Sequence, residues 1–501
     1  MTKATATKKK NNEEPQASPQ PAPEDAWPAP PHARNGERLY VLKEGDTFNV
    51  ADACGDITGE GDGLFHNDTR LLSTFRLLVS GHQPALLSSA VAQDNAFFTA
   101  NMTNQPLLPL GESSMPQGVL HVERRRFLWK GRLHERVRLT NYGDTSATVA
   151  VQMLFGADFR DMFEVRGQSR SRRGELQAAE LDTHWAVLRY EGLDQVRREV
   201  SVSFSMQPAK LTAQLAQFEV QLAGNEQWTL YVEVGDRPGE PTREGWRHAA
   251  ARARWGLRAR RRRGARVRAS GRLFQSWIDK SEADLALLTT DLPTGPYPYA
   301  GIPWFSTPFG RDAVVTALQR LWIDPALARG VLAFLAMHQA IEISPFRDAE
   351  PGKIMHETRK GEMAAVNELP FGQYYGGVDT TPLFIILAAA YARRTGDRAF
   401  IDSIWKQLVA ATVWMEGNAA RHGGLLSYAR GEVTGLANQG WKDSHDSVFH
   451  ADGRLAQGPI ALVEVQGYAY SALLGMAALA RWRGDAPSAA RWEAAGRQIA
   501  R

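Results

Sequence analysis

Between residues 37 and 236, apolar and polar positions alternate in short runs broken by Gly, Asn and Asp. Period-two text of this kind builds strands with one face buried and one face wet. Runs at residues 71–79, 119–129, 132–140, 146–155, 184–190, 200–206 and 228–234 read as strands, and Asn141-Tyr142-Gly143-Asp144 reads as a turn between two of them. Many strands without intervening helices predict an antiparallel sandwich. From about residue 273 the period changes to 3.6: Phe274, Trp277, Ile278, Ser281 and Leu285 fall at helical spacing. Further helices are predicted over 311–322, 325–339, 381–395, 398–420, 464–483 and 487–501, with Thr380 or Thr381 as an N-cap and Pro382 at the first helical position of the third. Three loops, at 290–310, 344–377 and 421–459, exceed the length at which an unstructured connection is common unless it is functional. Paired helices with elaborate loops on one side predict an α/α toroid with its site at one mouth.

The divisions that follow are 1–36, 37–236, 237–272 and 273–501. The first is rich in Lys, Pro, Ala, Gln and Glu and cannot bury enough surface to offset the entropy of ordering, so it reads as a disordered tail. The third is a helical linker containing twelve arginines between Arg243 and Arg272, with Glu244 the sole acid among them. Such a run suits either a nucleic-acid footprint over Arg252–Arg268 or the solvated face of a helix; without interleaved aromatics or a binding motif, no nucleic-acid partner is expected. The net charge of +4 sets no strong field. The single cysteine, Cys54, excludes an internal disulfide framework and suits a reducing, cytoplasmic setting. No run of 18 apolar residues predicts a membrane span, and the N-terminal lysines have no apolar segment behind them.

Candidate chemistry lies in the loops. In residues 436–447 the Asp443 carboxyl sits beside Trp441; an aromatic ring can cover the C–H face of a sugar while an acid reaches the glycosidic oxygen. The same Asp-Ser pair would also suit a cap or a turn. Residues 300–312 present Trp304 and Phe305, then Arg311-Asp312 where a helix starts, a donor–acceptor pair for sugar hydroxyls or a charge at a helix N-terminus. Residues 353–362 carry His356, Glu357, Arg359 and Glu362. Residues 374–382 place two tyrosines and Asp379 before an apolar helix, and Glu464, Gln466 and Tyr468 follow the third long loop. Scattered histidines and one cysteine give no metal-ligand pattern, and no phosphate-binding glycine loop stands in strand–helix context, so neither a metal nor a cofactor is expected.

These segments resemble the amylo-α-1,6-glucosidase (glycogen-debranching) family. The resemblance is carried by Gly-Ile-Pro-Trp-Phe-Ser-Thr-Pro-Phe-Gly-Arg-Asp (301–312), His-Glu-Thr-Arg-Lys-Gly-Glu-Met-Ala (356–364), Tyr-Tyr-Gly-Gly-Val-Asp-Thr-Thr-Pro-Leu-Phe (374–384) and Gly-Trp-Lys-Asp-Ser (440–444). Gly-Leu-Phe-His-Asn-Asp-Thr-Arg-Leu-Leu-Ser (63–73) looks like the N-terminal domain of bacterial members. The resemblance implies a β-supersandwich, a helical linker and an (α/α)6 toroid, with cofactor-free inverting hydrolysis of α-glucosidic bonds. It makes Asp443 the general acid and places Trp304, Arg311, Asp312, Glu357, Asp379, Trp441 and Glu464 around the sugar. It also implies twelve barrel helices and a late glutamate as general base. About seven helices are read before Arg501, so the toroid is expected to be incomplete here and the base lost, with Glu357, Glu362 and Glu368 poor substitutes. Other readings are a related glycosidase acting on a disaccharide such as trehalose or glucosylglycerate, and a carbohydrate-binding protein without catalysis. Oligomeric state is not legible.

Overall fold

The computed structural model describes residues 38–106 and 116–500. The expected tail at 1–36 lies outside the described residues.

Alternation produces the sandwich as read. Leu120–Trp129 and Arg132–Asn141 pair antiparallel, setting Val122 opposite Leu139, and Gln227–Gly235 adds to the second with Leu230 opposite Val137. These strands belong to the largest sheet. A second sheet runs Lys210–Leu211, Leu215–Leu222, Ala147–Gly156, Thr74–Val79. Both sheets send Val122, Val137, Val232, Val151, Leu77 and Phe218 into one core. A third sheet is a meander of Tyr40–Glu44, Thr47–Ala51, Gly63–His66 and Thr69–Leu72. The single strand expected at 71–79 is therefore two strands in different sheets, divided at Ser73. All four residues of Thr69–Leu72 are buried, so period-two text could not show the break.

The linker is helical only over Arg243–Arg261, capped by the Thr242 hydroxyl, which accepts from Gly245 N at 3.0 Å. The helix lays Trp246, Ala249, Ala250 and Ala253 against Phe97 and Phe127 of the sandwich. The helix ends at Arg261, short of the expected 272, and Gly264, a weak helix former, follows within three residues. Several linker arginines are engaged within the chain: Arg254 with Asp94 (2.5 Å), Arg260 with Asp291 (2.8 Å), Arg261 with Asp279 (2.5 Å) and Arg263 with Asp324 (2.8 Å).

The second domain comprises the helices Arg272–Leu288, Gly310–Arg320, Pro325–Met337, Thr380–Thr395, Trp405–Arg421, Val463–Arg483 and Ala486–Ile499, with shorter turns between. Thr380–Thr395 is apolar nearly all round and lies at the centre, packed on Gly310–Arg320, Pro325–Met337, Trp405–Arg421 and Val463–Arg483. The helix expected over 398–420 is broken at Ile404 into Arg398–Ser403 and Trp405–Arg421. The apolar face expected from 273 forms in Arg272–Leu288, but Leu273, Phe274 and Trp277 are exposed and only Ala283, Ala286 and Leu287 are buried. Among the described residues, no helix is long and apolar enough to cross a membrane.

The meander sheet reaches across to the helical domain. Phe48, Val50 and Phe65 pack with Met162 and Val165, and Ile302 and Trp304 close over them. At the meander's turns, Asp46 accepts from Tyr299 (2.6 Å) and Lys360 (2.7 Å), and Asp68 accepts from Lys360 N (2.9 Å) and Arg359 (3.3 Å).

Candidate active site

Arg311 organises the site. It is the second residue of Gly310–Arg320, and its position is fixed by a close approach of backbones. Gly310 N donates to His356 O at 2.7 Å, and a Cβ on Gly310 would lie 2.1 Å from Met355 O. Only glycine fits there. The buried Tyr297 hydroxyl donates to Phe309 O at 2.8 Å and fixes the residue before.

From this base the guanidinium reaches three groups distant in sequence. Nη1 donates to Asp379 Oδ2 at 3.1 Å and to Gly440 O at 2.6 Å; Nη2 donates to Asp443 Oδ2 at 2.7 Å. Burial opposes the arginine's charge, but Asp379, Asp443 and Asp312 overcome it and hold Arg311 above its ordinary value. Asp379 is nearly inaccessible. Burial raises its carboxyl, with Arg311 opposing. It occupies the N-cap position of Thr380–Thr395, so Thr380 is the first helical residue and Pro382 the third, in place of the expected threonine cap with proline first. Asp312 stands exposed in the first turn of its own helix.

Asp443 is 42% exposed at its side chain, so a ligand can reach it from solvent. Its loop is tied by Asn438 Nδ2 to Ser444 O (2.7 Å) and by Ser447 Oγ to Lys442 O (2.6 Å). Trp441 is exposed at the rim, with the Lys442 ammonium 5.3 Å from its ring centre. Glu464, half-buried in the first turn of Val463–Arg483, lies beside Gly440: its Oε1 is 4.0 Å from where a Gly440 Cβ would stand. Tyr468, one turn further along that helix, faces the same charges. Its phenol is raised by burial, then by Asp379 and Glu464, with Arg311 opposing. The i, i+4 relation of Tyr468 to Glu464 is the sequence signal that joins it to the site.

Two further expected site residues are engaged by other contacts. Trp304 packs into the interdomain cluster around Phe48 and Phe65. Glu357 is buried and accepts from Arg359 Nε at 2.9 Å, while Arg359 also holds Asp68 of the sandwich. Its backbone pairs with Phe309 on one side and Tyr374 on the other, so Glu357 braces the segment ahead of Arg311. Other acids of this loop are likewise engaged with the sandwich. Glu362 accepts from Tyr190 (2.8 Å), Leu193 N (2.8 Å) and Arg170 (3.2 Å), and Glu368 accepts from Arg170 (2.8 Å). Asp161 accepts from Phe163 N and Met363 N, each at 3.0 Å, and burial pushes its carboxyl up to about 7. His356 is held well below its ordinary value by burial and by Arg311, Arg359 and Lys353, so its ring is neutral near pH 7. Among the described residues no group of three or more His, Cys, Asp or Glu side chains could hold a metal ion.

Residues 42–233 match the family described as the N-terminal domain of (some) glycogen debranching enzymes. Among solved structures, the chain resembles a candidate kojibiose phosphorylase from the human microbiome at 10% identity and a TM-score of 0.56, covering 92% of this chain and 67% of that one. It also resembles a bacterial glucoamylase complexed with acarbose, at 11% identity and a TM-score of 0.54, covering 96% of this chain and 68% of that one. At such identities the likeness is one of fold: a β-sandwich followed by helices of the (α/α)6 kind. No curated protein matches the chain. Over residues 42–233 the sandwich is similar to the N-terminal domains of some glycogen debranching enzymes.

Proposed function

We propose that the chain acts on α-glucosidic bonds of glycogen-like or related oligosaccharides, as an inverting glycoside hydrolase of the amylo-α-1,6-glucosidase type. The observation that carries this reading is the Arg311 fork, which gathers Asp379 and Asp443 from 68 and 132 residues away. Asp443 is the proton donor. Its carboxyl gives a proton to the glycosidic oxygen, the C–O bond breaks and the leaving sugar departs as an alcohol, while a water bonds to the anomeric carbon from the opposite face and passes its proton to a second carboxylate. The negative charge left on Asp443 falls 2.7 Å from a guanidinium already in place, which needs no reorganisation to receive it. Asp312, Glu464 and Tyr468 offer acceptors and a donor for sugar hydroxyls, Asp379 holds Arg311 from beneath, and Trp441 offers an exposed ring face.

Inversion also requires a carboxylate that activates water on the opposite face of the sugar. Glu357, Glu362 and Glu368 are unsuited to it, because each is paired with arginine at the domain interface. The test is hydrolysis of a panel of α-1,6-, α-1,4- and α-1,1-linked glucosides, with product anomers followed by NMR. Release of β-glucose from an α-linked substrate supports the proposal. Tight binding without turnover, unchanged by Asp443→Asn, supports a binding protein instead.

A further inference from the structure

We infer that Asp348 and Tyr374 are positioning residues for the loop that carries Asp443. The inference rests on the reading of Asp443 as proton donor, although its structural part stands alone. Asp348 is in the second long loop and Tyr374 at its end. Both are buried, and the Tyr374 hydroxyl donates to Asp348 Oδ2 at 2.6 Å. No sequence signal connected either residue with Asp443.

The 431–443 segment is threaded over this pair. Gly431 N donates to Asp348 Oδ1 at its start. Leu436 N donates to the Tyr374 hydroxyl oxygen at 2.7 Å in its middle. The buried Gln439 side chain donates to Asp348 Oδ2 at 3.1 Å near its end. Gln439 O then accepts from Val378 N at 2.9 Å, and Gly440 O accepts from Arg311 at 2.6 Å. The contact is close enough to fix a residue type: a Cβ on Gly435 would lie 2.8 Å from Asp348 Oδ2 and 2.9 Å from the Tyr374 oxygen. Three tethers on one buried carboxylate–phenol pair thus deliver Gly440 beside Asp379, and with it the backbone leading to Asp443.

The pairing is chemically one-sided. Tyr374, Gln439 and Gly431 all present donors to Asp348, so a carboxylate suits the position and an amide does not. Asp348→Asn would turn an NH2 group toward donors. Tyr374→Phe would keep the ring but leave Leu436 N without its partner.

The experiment measures hydrogen exchange by mass spectrometry on wild type, Tyr374→Phe and Asp348→Asn, together with kcat and KM on the best α-glucoside of the panel. The expected result is about tenfold or faster exchange in 431–443 with Thr380–Thr395 unchanged, and kcat lower by about tenfold to a hundredfold with KM within about twofold. Unchanged exchange in the loop overturns the inference, as does equal loosening of Thr380–Thr395. Faster exchange with kcat intact overturns it too, since the loop would then be free to move without consequence. If wild type turns over no glucoside, the functional reading fails, and the exchange data alone decide whether the pair holds the loop.

Discussion

Replacing Arg311 by Met separates its two ion pairs, because they differ in burial. The Asp379 side chain is 1% exposed and the Asp443 side chain 42% exposed. Losing the partner of a buried carboxylate costs about 3–5 kcal/mol, since the charge stays behind without compensation. Losing the partner of an exposed one costs at most about 1 kcal/mol. The Asp379 term therefore dominates, and Arg311→Met should destabilise the helical domain by about 3–5 kcal/mol near neutral pH. Its pH dependence has a definite sign. Burial already raises the Asp379 carboxyl, and without the opposing guanidinium it rises further, so the folded variant binds a proton that the unfolded chain does not. The deficit should then shrink as pH falls from 8 to 5. Removing both partners in Arg311→Met/Asp379→Asn should recover most of the loss. Native-state hydrogen exchange in Thr380–Thr395 measures these differences locally, without assuming that 501 residues unfold in one step. A deficit below about 1 kcal/mol, or one independent of pH and not relieved by the second substitution, would refute this reasoning.

Asp443→Asn should change stability by less than about 1 kcal/mol, measured by the same exchange, because the Asp443 side chain is itself 42% exposed; a larger loss would make Asp443 a structural anchor. Asp161, raised by burial from 3.8 to about 7 between the domains, favours the folded state at low pH and loses that contribution as pH rises from about 4 to 7. Asp161→Asn should flatten that slope, by up to about 4 kcal/mol, in unfolding titrations at pH 4.5 and 8; an unchanged slope would contradict the assignment. Lys43 is lowered by burial from 10.5 to about 7, and its Nζ donates to Thr290 at 2.8 Å across the domain boundary. The unfolded chain binds the extra proton, so this group adds stability as pH rises from 7 toward 10.5, and Lys43→Met should remove that rise; a rise that persists would place the titrating group elsewhere.

The architecture was legible because both periods are strong. The long strands Leu120–Trp129 and Arg132–Asn141 and the helices Pro325–Met337 and Val463–Arg483 fall within two residues of where alternation or helical spacing puts them. Failures occur where burial is uniform or absent. Thr69–Leu72 is buried on both faces and hides a strand boundary, while Leu273, Phe274 and Trp277 keep helical spacing yet remain exposed. Arg311, Asp379, Asp443 and Glu464 were legible as polar residues at loop–helix junctions, and they do converge. Trp304 and Glu357 came from equally suggestive loops, but the sandwich claims them, through partners some 290 residues away in the case of Arg359 and Asp68. That docking depends on the Asn67-Asp68 turn, both residues of which have positive φ (49° and 59°). No local pattern announces which side chains such a turn will meet. Asp348 and Tyr374 were hidden for the same reason: their partners are backbone amides of a distant loop.

The proton-donor role of Asp443 is tested most directly by comparing two substrates in Asp443→Asn. An α-1,6-linked glucoside leaves as an alkoxide unless an acid protonates it, whereas α-glucosyl fluoride leaves with little need of a proton. The account predicts that the variant loses hydrolysis of the first by about a hundredfold or more and retains hydrolysis of the second near the wild-type rate. Equal loss on both substrates, or no loss on either, would contradict it.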